Sequence, residues 1–201
     1  MEPVESDERT PNLKRYLEKL GIALGELYGK RILDIGAGGL YFAKEAWLAH
    51  EIKVFSVEPD LTESISRYYG LFAYATACCQ TSPELEAFQI TLRRTVRAFG
   101  QALPFKDESF DYVVSIFGVP FMIKNYFEGL LAINEGLRVL RHKGTLIFYP
   151  LESQFFDIKE NTALKAEMLV LRKFPDFRIV LSPYDDPEAM RTLTRVIIKK
   201  G

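Results

Sequence analysis

The sequence predicts one α/β domain of the doubly wound type, in which crossover helices cover a mostly parallel sheet. Short apolar runs typical of buried strands alternate along the chain with segments whose apolar residues recur every three to four positions, the spacing of a helix face. A length of 201 residues fits one domain, and 48 % hydrophobic and 26 % charged residues are ordinary for a globular protein. We therefore interpret residues 1–201 as a single domain.

The composition argues against several classes of partner. A formal net charge of -1 gives no broad attraction to nucleic acid or to an anionic membrane. No apolar run approaches the roughly 20 residues that cross a bilayer, and residues 1–12 lack the apolar core of a signal peptide. Cys78 and Cys79 are adjacent, which disfavours a structural disulfide, and no Cys/His cluster has metal-ligand spacing. We expect a cytoplasmic protein without a metal, a membrane partner or a nucleic-acid partner.

The first predicted element is a helix that begins at Thr10-Pro11, with threonine as the cap and proline at the first helical position. Leucines then recur at spacings of four and three residues, which places them on one helix face that is ready to cover a sheet. Gly29 is predicted to end this helix. The leucines are Leu13, Leu17, Leu20, Leu24 and Leu27.

Seven strands and three further helices follow from the same patterns. The predicted strands are 31–35, 53–57, 95–99, 112–117, 145–149, 178–181 and 193–199. The predicted helices are 40–49, 122–141 and 159–173, the second of them closed by His142-Lys143-Gly144.

Residues 62–94 are long enough for two helices where one would join the flanking strands. Ser82-Pro83 gives a start signal for the second helix, with serine as the cap. The part from 68 to 79 is aromatic and apolar, which is typical either of a helix packed on the sheet or of a lid over a ligand. Both interpretations of this helical insertion stay open.

The strongest chemical pattern is the junction of the first strand and the second helix. Asp34 is the second-last residue of the predicted strand. Gly36, Ala37 and Gly38 follow the strand, and the two glycines let the backbone approach a ligand closely. Ligands of open α/β sheets bind at the carboxyl ends of strands. Glu58 stands at the end of the next strand, where its carboxylate can accept hydrogen bonds from the hydroxyls of a ribose. Together these residues predict a nucleoside-containing ligand.

Five short segments follow one another in this part of the chain. They are Asp34-Ile-Gly-Ala-Gly, Val57-Glu-Pro-Asp, Ala102-Leu-Pro-Phe, Ser109-Phe-Asp-Tyr-Val-Val-Ser and Glu135-Gly-Leu-Arg-Val-Leu. In this order they resemble the class I S-adenosylmethionine-dependent methyltransferases, and the likeness extends from about residue 31 to 149. The resemblance implies S-adenosyl-L-methionine as cofactor and a seven-stranded sheet whose last strand is antiparallel, the place of residues 193–199.

The resemblance also implies roles for the glycine loop and the acid that follows it. Asp34 would face the amino group of the methionine moiety, and Gly36, Ala37 and Gly38 would form the loop beside it. Glu58 would bind the ribose.

The remaining implied cofactor contacts come from three later segments. Pro59 would lie beside the adenine. Gln101 and Ala102 stand where many members have Asp-Ala, and the glutamine amide can still accept a hydrogen bond from the adenine amino group. Ile116 and Phe117 would line the methionine and the transferred methyl.

We interpret the chain as a methyltransferase whose acceptor is a small molecule and which has a surface for a possible homodimer. Phe117, Phe121 and Tyr149 could line an apolar acceptor pocket. No catalytic residue is assigned, because His50 and His142 both suit surface or capping positions rather than a general base.

Two other functions share parts of the pattern. A nicotinamide-dependent oxidoreductase would need glycine three positions after the second glycine, where this chain has Tyr41. A non-catalytic cofactor-binding or partner subunit remains the alternative, because a fold does not fix a function.

Overall fold

The computed structural model describes residues 11–64, 83–152, 158–171, 176–186 and 191–201. The strands are β1 (Ile32–Ile35), β2 (Val54–Val57), β3 (Thr95–Val96), β4 (Phe110–Ile116), β5 (Leu140–Tyr149), β6 (Phe177–Asp186) and β7 (Arg191–Lys200). The helices are α1 (Pro11–Leu20), α2 (Tyr41–His50), α3 (Pro83–Leu92), α4 (Tyr126–Val139) and α5 (Ile158–Leu171), with a 3-10 helix at Leu24–Leu27.

All seven strands form one sheet in the order β3-β2-β1-β4-β5-β7-β6. Every neighbouring pair from β3 to β5 is parallel. Strand β7 is antiparallel to both β5 and β6, so six strands share one direction and the last strand opposes them. This confirms the predicted doubly wound sheet with an antiparallel last strand. The strand order reverses between β1 and β4, the switch point where such sheets bind ligands.

Each face of the sheet carries its own apolar core. On one face, side chains such as Ile32 and Val54 pack with buried residues of α1 and α2. On the other, side chains such as Leu33 and Leu146 pack with α4 and α5. Successive residues of a strand point to opposite faces, so each inner strand contributes to both cores.

Helix α1 is shorter than predicted. It ends at Leu20, and Gly21 takes a φ of +67°, the left-handed conformation that terminates helices. Leu24 and Leu27, which were expected on the same helix, lie in the separate 3-10 helix. The leucine stripe nevertheless packs into one core, in which Leu13, Leu20 and Leu27 are buried and Leu17 and Leu24 are partly buried.

The prediction for α4 and β5 was wrong at their junction. Helix α4 begins after the cap Asn125, whose side chain accepts from the backbone N–H groups of Phe127 and Glu128. It ends at Val139, and the chain passes directly into β5. Residues 142–144 therefore lie in an irregular first part of a strand, where the pairing register with β4 shifts, and do not close a helix.

Other boundaries differ in length. Strand β3 covers two residues instead of the predicted five, β4 begins at Phe110, and β6 continues past Leu181 to Asp186. The start of α3 at Pro83 agrees with the prediction, whereas residues 65–82, with the 68–79 segment, and Thr10 lie outside the described residues. Among the helices that the structure describes, none is long and apolar enough to cross a membrane.

Candidate functional site

The glycine loop after β1 is fixed against two neighbouring strands. Gly36 has a φ of +74°, and a Cβ atom at this position would lie 2.8 Å from the Cα of Gly118, which follows β4. The Gly36 N–H donates to the carbonyl of Val57 at 2.8 Å, and the Ala37 N–H donates to the same carbonyl at 3.2 Å. The loop therefore needs glycine at position 36 for both its backbone conformation and its close approach to Gly118.

Asp34 is a buried carboxylate beneath this loop. It is 1 % exposed, and its Oδ2 has no hydrogen-bond partner among the described residues. Burial, and secondarily the negative charge of Glu58, raises the pKa of the Asp34 carboxyl to about 7. Ser56, its register partner on β2, also has a buried hydroxyl without a described partner. Buried polar atoms are usually hydrogen-bonded, so this pair marks a place prepared for a further polar group.

Glu58 joins the end of β2 to the glycine loop. Its carboxylate is mostly buried, and Oε2 accepts from the Gly38 N–H at 2.7 Å while Oε1 accepts from the Asp60 N–H at 3.2 Å. A carboxylate offers about four acceptor positions, so two backbone bonds leave capacity for hydroxyl donors. Pro59, half-buried, follows directly and borders the same place.

The segment with Gln101 and Ala102 reaches the same edge of the sheet. A Cβ on the preceding Gly100 would lie 3.1 Å from Ile35 and 3.0 Å from Val119, so the backbone packs tightly against the ends of β1 and β4. The Gln101 side chain donates to Glu128 of α4 at 3.3 Å. Ala102 is exposed.

Hydrogen bonds from Arg138 fix the segment that follows Ala102. Arg138 of α4 donates to the carbonyls of Leu103 and Phe105 at 3.0 and 2.8 Å, and Glu135 accepts from the Leu103 N–H at 2.9 Å. Arg138 also pairs with Glu135 and Asp107, both at 2.7 Å. These pairs raise the pKa of Arg138, and hydrogen bonding to Arg138 lowers the pKa of Glu135. The fifth motif thus positions the loop at Gln101.

Ile116 and Phe117 stand at the end of β4, next to the glycine loop. Ile116 is buried, and Phe117 has a φ of +55°, which turns the chain away from the strand. The Phe117 ring contacts Phe121 and Tyr149 edge to face, with centroid distances of 5.2 and 5.6 Å. Ser115 fixes this turn, because its hydroxyl donates to the Ile35 carbonyl at 2.6 Å and accepts from the Val119 N–H at 2.7 Å.

Sequence reasoning missed a polar cluster beside Phe117. Lys19 of α1 places its ammonium 4.7 Å from the Phe117 ring centroid and 3.4 Å from Asp186, the last residue of β6. The Tyr149 hydroxyl donates to the same Asp186 carboxylate at 2.6 Å. Lys19 and Asp186 are buried, and burial together with this hydrogen bond raises the pKa of Tyr149. The predicted strand ended five residues before Asp186, so nothing in the sequence pointed to it.

The two histidines lie away from this arrangement. His50 is the last residue of α2, 3.4 Å from the Tyr28 hydroxyl, and His142 is exposed near the start of β5. His142 was expected at a helix end and lies in a strand instead. Within the described ranges, no group of three or more His, Cys, Asp or Glu side chains could hold a metal ion.

The sequence model of one protein family, described as "Methyltransferase domain", matches residues 33–148, more than half of the chain. The match runs from the middle of β1 to the end of β5 and so contains the glycine loop, Glu58, Gln101 and Phe117. The chain belongs to the class I S-adenosylmethionine-dependent methyltransferase family. A nicotinamide-dependent oxidoreductase is thereby disfavoured. A comparison with curated proteins found no match.

Solved structures of this methyltransferase fold resemble the chain over most of its length. The N-methyltransferase NodS from Bradyrhizobium japonicum is 15 % identical with a TM-score of 0.58, and the alignment covers 93 % of this chain and 94 % of NodS. A methyltransferase from Aquifex aeolicus is 14 % identical, with a TM-score of 0.50 and coverage of 98 and 93 %. The [4+2]-cyclase SpnF is 14 % identical, with a TM-score of 0.53 and coverage of 94 and 79 %. At these identities the likeness concerns the fold alone.

Proposed function

We propose that this methyltransferase-family chain binds S-adenosylmethionine at the carboxyl edge of β1, β2 and β4 and transfers its methyl group to a small-molecule acceptor. The observation that carries the proposal is the pair of carboxylates, Asp34 and Glu58, beneath the glycine loop. Asp34 Oδ2 is buried without a described partner, and a ligand with a cationic amino group would supply one.

The cofactor would supply an electrophilic methyl group on a sulfonium, so the work of the chain is to align donor and acceptor. Asp34 would accept from the ligand's amino group, with Gly36, Ala37 and Gly38 giving the backbone room to approach. Glu58 would accept from ribose hydroxyls through the capacity that Gly38 and Asp60 leave.

The remaining cofactor residues would hold the two ends of the ligand. Pro59 and Ala102 would border the adenine, and the carbonyl oxygen of Gln101 would accept from its amino group while the Gln101 N–H₂ keeps its bond to Glu128. Ile116 and Phe117 would pack on the methionine side.

The proposal of a small-molecule acceptor is based on the aromatic surroundings of Phe117. The Phe117 ring contacts both Phe121 and Tyr149 at the ends of β4 and β5, and such rings suit a compact, partly apolar molecule. A formal net charge of -1 gives no general attraction to nucleic acid.

Isothermal titration of the purified chain with S-adenosylmethionine and S-adenosylhomocysteine tests the cofactor site. We expect micromolar binding of both, and a loss of about 1–3 kcal/mol in Glu58→Ala, because charge-assisted hydrogen bonds to two hydroxyls are removed. Glu18→Ala is the matched control, since it removes an exposed carboxylate on α1 and should bind like the unaltered chain.

Binding of neither compound would refute the cofactor proposal. Equal affinity in Glu58→Ala and Glu18→Ala would remove Glu58 from the site. Binding of both compounds without methyl transfer to any fraction of a metabolite extract, followed with isotopically labelled methyl donor, would favour the non-catalytic cofactor-binding or partner-subunit alternative.

A further inference from the structure

The cluster of Lys19, Asp186 and Tyr149 contacts Phe117 through the Lys19 ammonium and the Tyr149 ring. Phe117 follows β4, and Tyr149 and Asp186 are the last residues of β5 and β6. These three strands are parallel, so their carboxyl ends meet at the edge that holds Asp34 and Glu58. The cluster thus occupies the β5–β6 half of that edge.

We propose that Lys19, held by Asp186 against the ring of Phe117, sets the charge preference of the site, lowering its affinity for the cationic methyl donor relative to the neutral demethylated product. This inference rests on the proposed function, because it needs S-adenosylmethionine to bind with its sulfonium near Phe117. Lys19 thereby becomes a specificity-determining residue that acts through charge.

The geometry explains why Lys19 and a sulfonium would compete. An aromatic face attracts a cation through its negative quadrupole, and the ammonium of Lys19 already lies 4.7 Å from the Phe117 centroid. A second cation that packs against the same ring meets a like charge in a partly buried place, where screening by water is weak. A neutral thioether at that position meets no such repulsion.

Asp186 weakens the repulsion between Lys19 and a bound sulfonium without abolishing it. Its carboxylate lies 3.4 Å from the Lys19 ammonium and also accepts from the Tyr149 hydroxyl at 2.6 Å, so it both offsets the positive charge and fixes its place. The two members of the pair therefore have opposite effects on a bound cation. Removing Lys19 favours the sulfonium, and neutralising Asp186 disfavours it.

Stability alone is a weak reason for such a pair. The Lys19 side chain is 8 % exposed and that of Asp186 is fully buried, and removing two charges from water costs several kcal/mol that their attraction often fails to recover. Apolar side chains of similar volume commonly give equal or higher stability at such positions. A charge placed beside the ring of Phe117 has an electrostatic use there that an apolar side chain lacks.

The test is the ratio of two dissociation constants, that of S-adenosylhomocysteine over that of S-adenosylmethionine, measured by isothermal titration on the full chain. Taking the ratio within one variant cancels general damage to the site. With an effective dielectric constant of about 20 and partial compensation by Asp186, we expect Lys19→Met to raise the ratio about tenfold. Asp186→Asn should lower it, and Lys19→Arg should leave it within about twofold.

Lys30→Met is the matched control. It removes the same charge from an exposed residue that precedes β1, at the opposite edge of the sheet, and should leave the ratio unchanged. A ratio that is the same in Lys19→Met, Asp186→Asn and Lys30→Met would overturn the inference while both ligands still bind. Binding of neither ligand by the unaltered chain would refute the proposed cofactor itself, which is a different result.

Discussion

Replacing Asp34 by asparagine should stabilise the free protein at alkaline pH while it weakens cofactor binding. The carboxyl is 1 % exposed, and burial, followed by the charge of Glu58, raises its pKa from 3.8 to about 7. In the unfolded chain the same group loses its proton near its ordinary pKa. Between these two values the folded state binds more protons than the unfolded state, so the free energy of unfolding falls as the pH rises.

The size of the effect follows from this difference in pKa. Each pH unit between the two pKa values corresponds to about 1.4 kcal/mol, so ionised Asp34 costs the fold about 4 kcal/mol above pH 7 and nothing below about pH 4. Asparagine removes this charge but buries an amide that lacks a described partner, which costs about 1–3 kcal/mol. We expect Asp34→Asn to be more stable by about 2 kcal/mol at pH 8, and equal or less stable at pH 4.

Urea unfolding of the free protein at several pH values between 4 and 8 measures this difference. A stability difference between Asp34→Asn and the unaltered chain that does not change with pH would refute the argument, because it would mean that Asp34 has the same pKa in both states. Binding of S-adenosylmethionine gives an independent readout. A cationic amino group beside Asp34 should lower the pKa of its carboxyl, so binding near pH 6.5 should release protons in the unaltered chain and none in Asp34→Asn.

Two further predictions concern backbone packing around the site. Gly36→Ala should abolish cofactor binding and should lower the free energy of unfolding by more than Gly29→Ala does. Both positions have a φ near +70°, but only at Gly36 would a Cβ meet backbone, 2.8 Å away at Gly118. Denaturant unfolding of both variants checks this, and an equal loss of stability in the two would mean that the Gly118 contact has no role. Arg138→Met should lower the free energy of unfolding by about 1–3 kcal/mol, since two carbonyls and two carboxylates lose their donor, and it should weaken cofactor binding through the loop at Gln101. Arg141→Met is the control, because Arg141 is more exposed and pairs with Asp111 at 3.2 Å. A similar loss of stability in Arg141→Met would contradict a special role for the hydrogen bonds of Arg138.

The parts of the fold that periodicity predicts well are those with buried strands. Strands β1 and β2 were placed to within one residue, because buried parallel strands read as short apolar runs bounded by polar residues and glycine. The glycine loop could be placed as well, since Gly36 and Gly38 adopt positive φ values that the sequence itself indicates.

The boundaries that failed depend on tertiary contacts. The Lys-Gly pair at 143–144 is typical of a helix end. Helix α4 nevertheless stops at Val139, because the chain from Leu140 onward pairs with β4 and, further along, with β7. Strand β6 was predicted to end at Leu181, and the residues that follow include Ser182, Pro183 and Asp185, which are types common in turns. In the structure, ten consecutive residues pair with β7, which holds them in a strand despite that composition.

The residues of the candidate site also divide into those that local sequence motifs predict and those that only tertiary packing brings together. Asp34 and Glu58 could be found because each stands at the carboxyl end of a strand, Asp34 within β1 and Glu58 directly after β2. Lys19 and Asp186 come from opposite ends of the chain and meet only because α1 packs on β4 and β5, beside the end of β6. Their meeting makes the two halves of the carboxyl edge differ in charge: two carboxylates lie under the glycine loop, whereas the Lys19–Asp186 ion pair places its ammonium beside the ring of Phe117. For a ligand with a cationic amino group at one end and a sulfonium near Phe117, the carboxylates attract the amino group and the Lys19 ammonium repels the sulfonium. Loss of the sulfonium charge removes only the repulsion by Lys19. The carboxylates therefore bind the amino end in both compounds, while the total affinity depends on the charge at the sulfur.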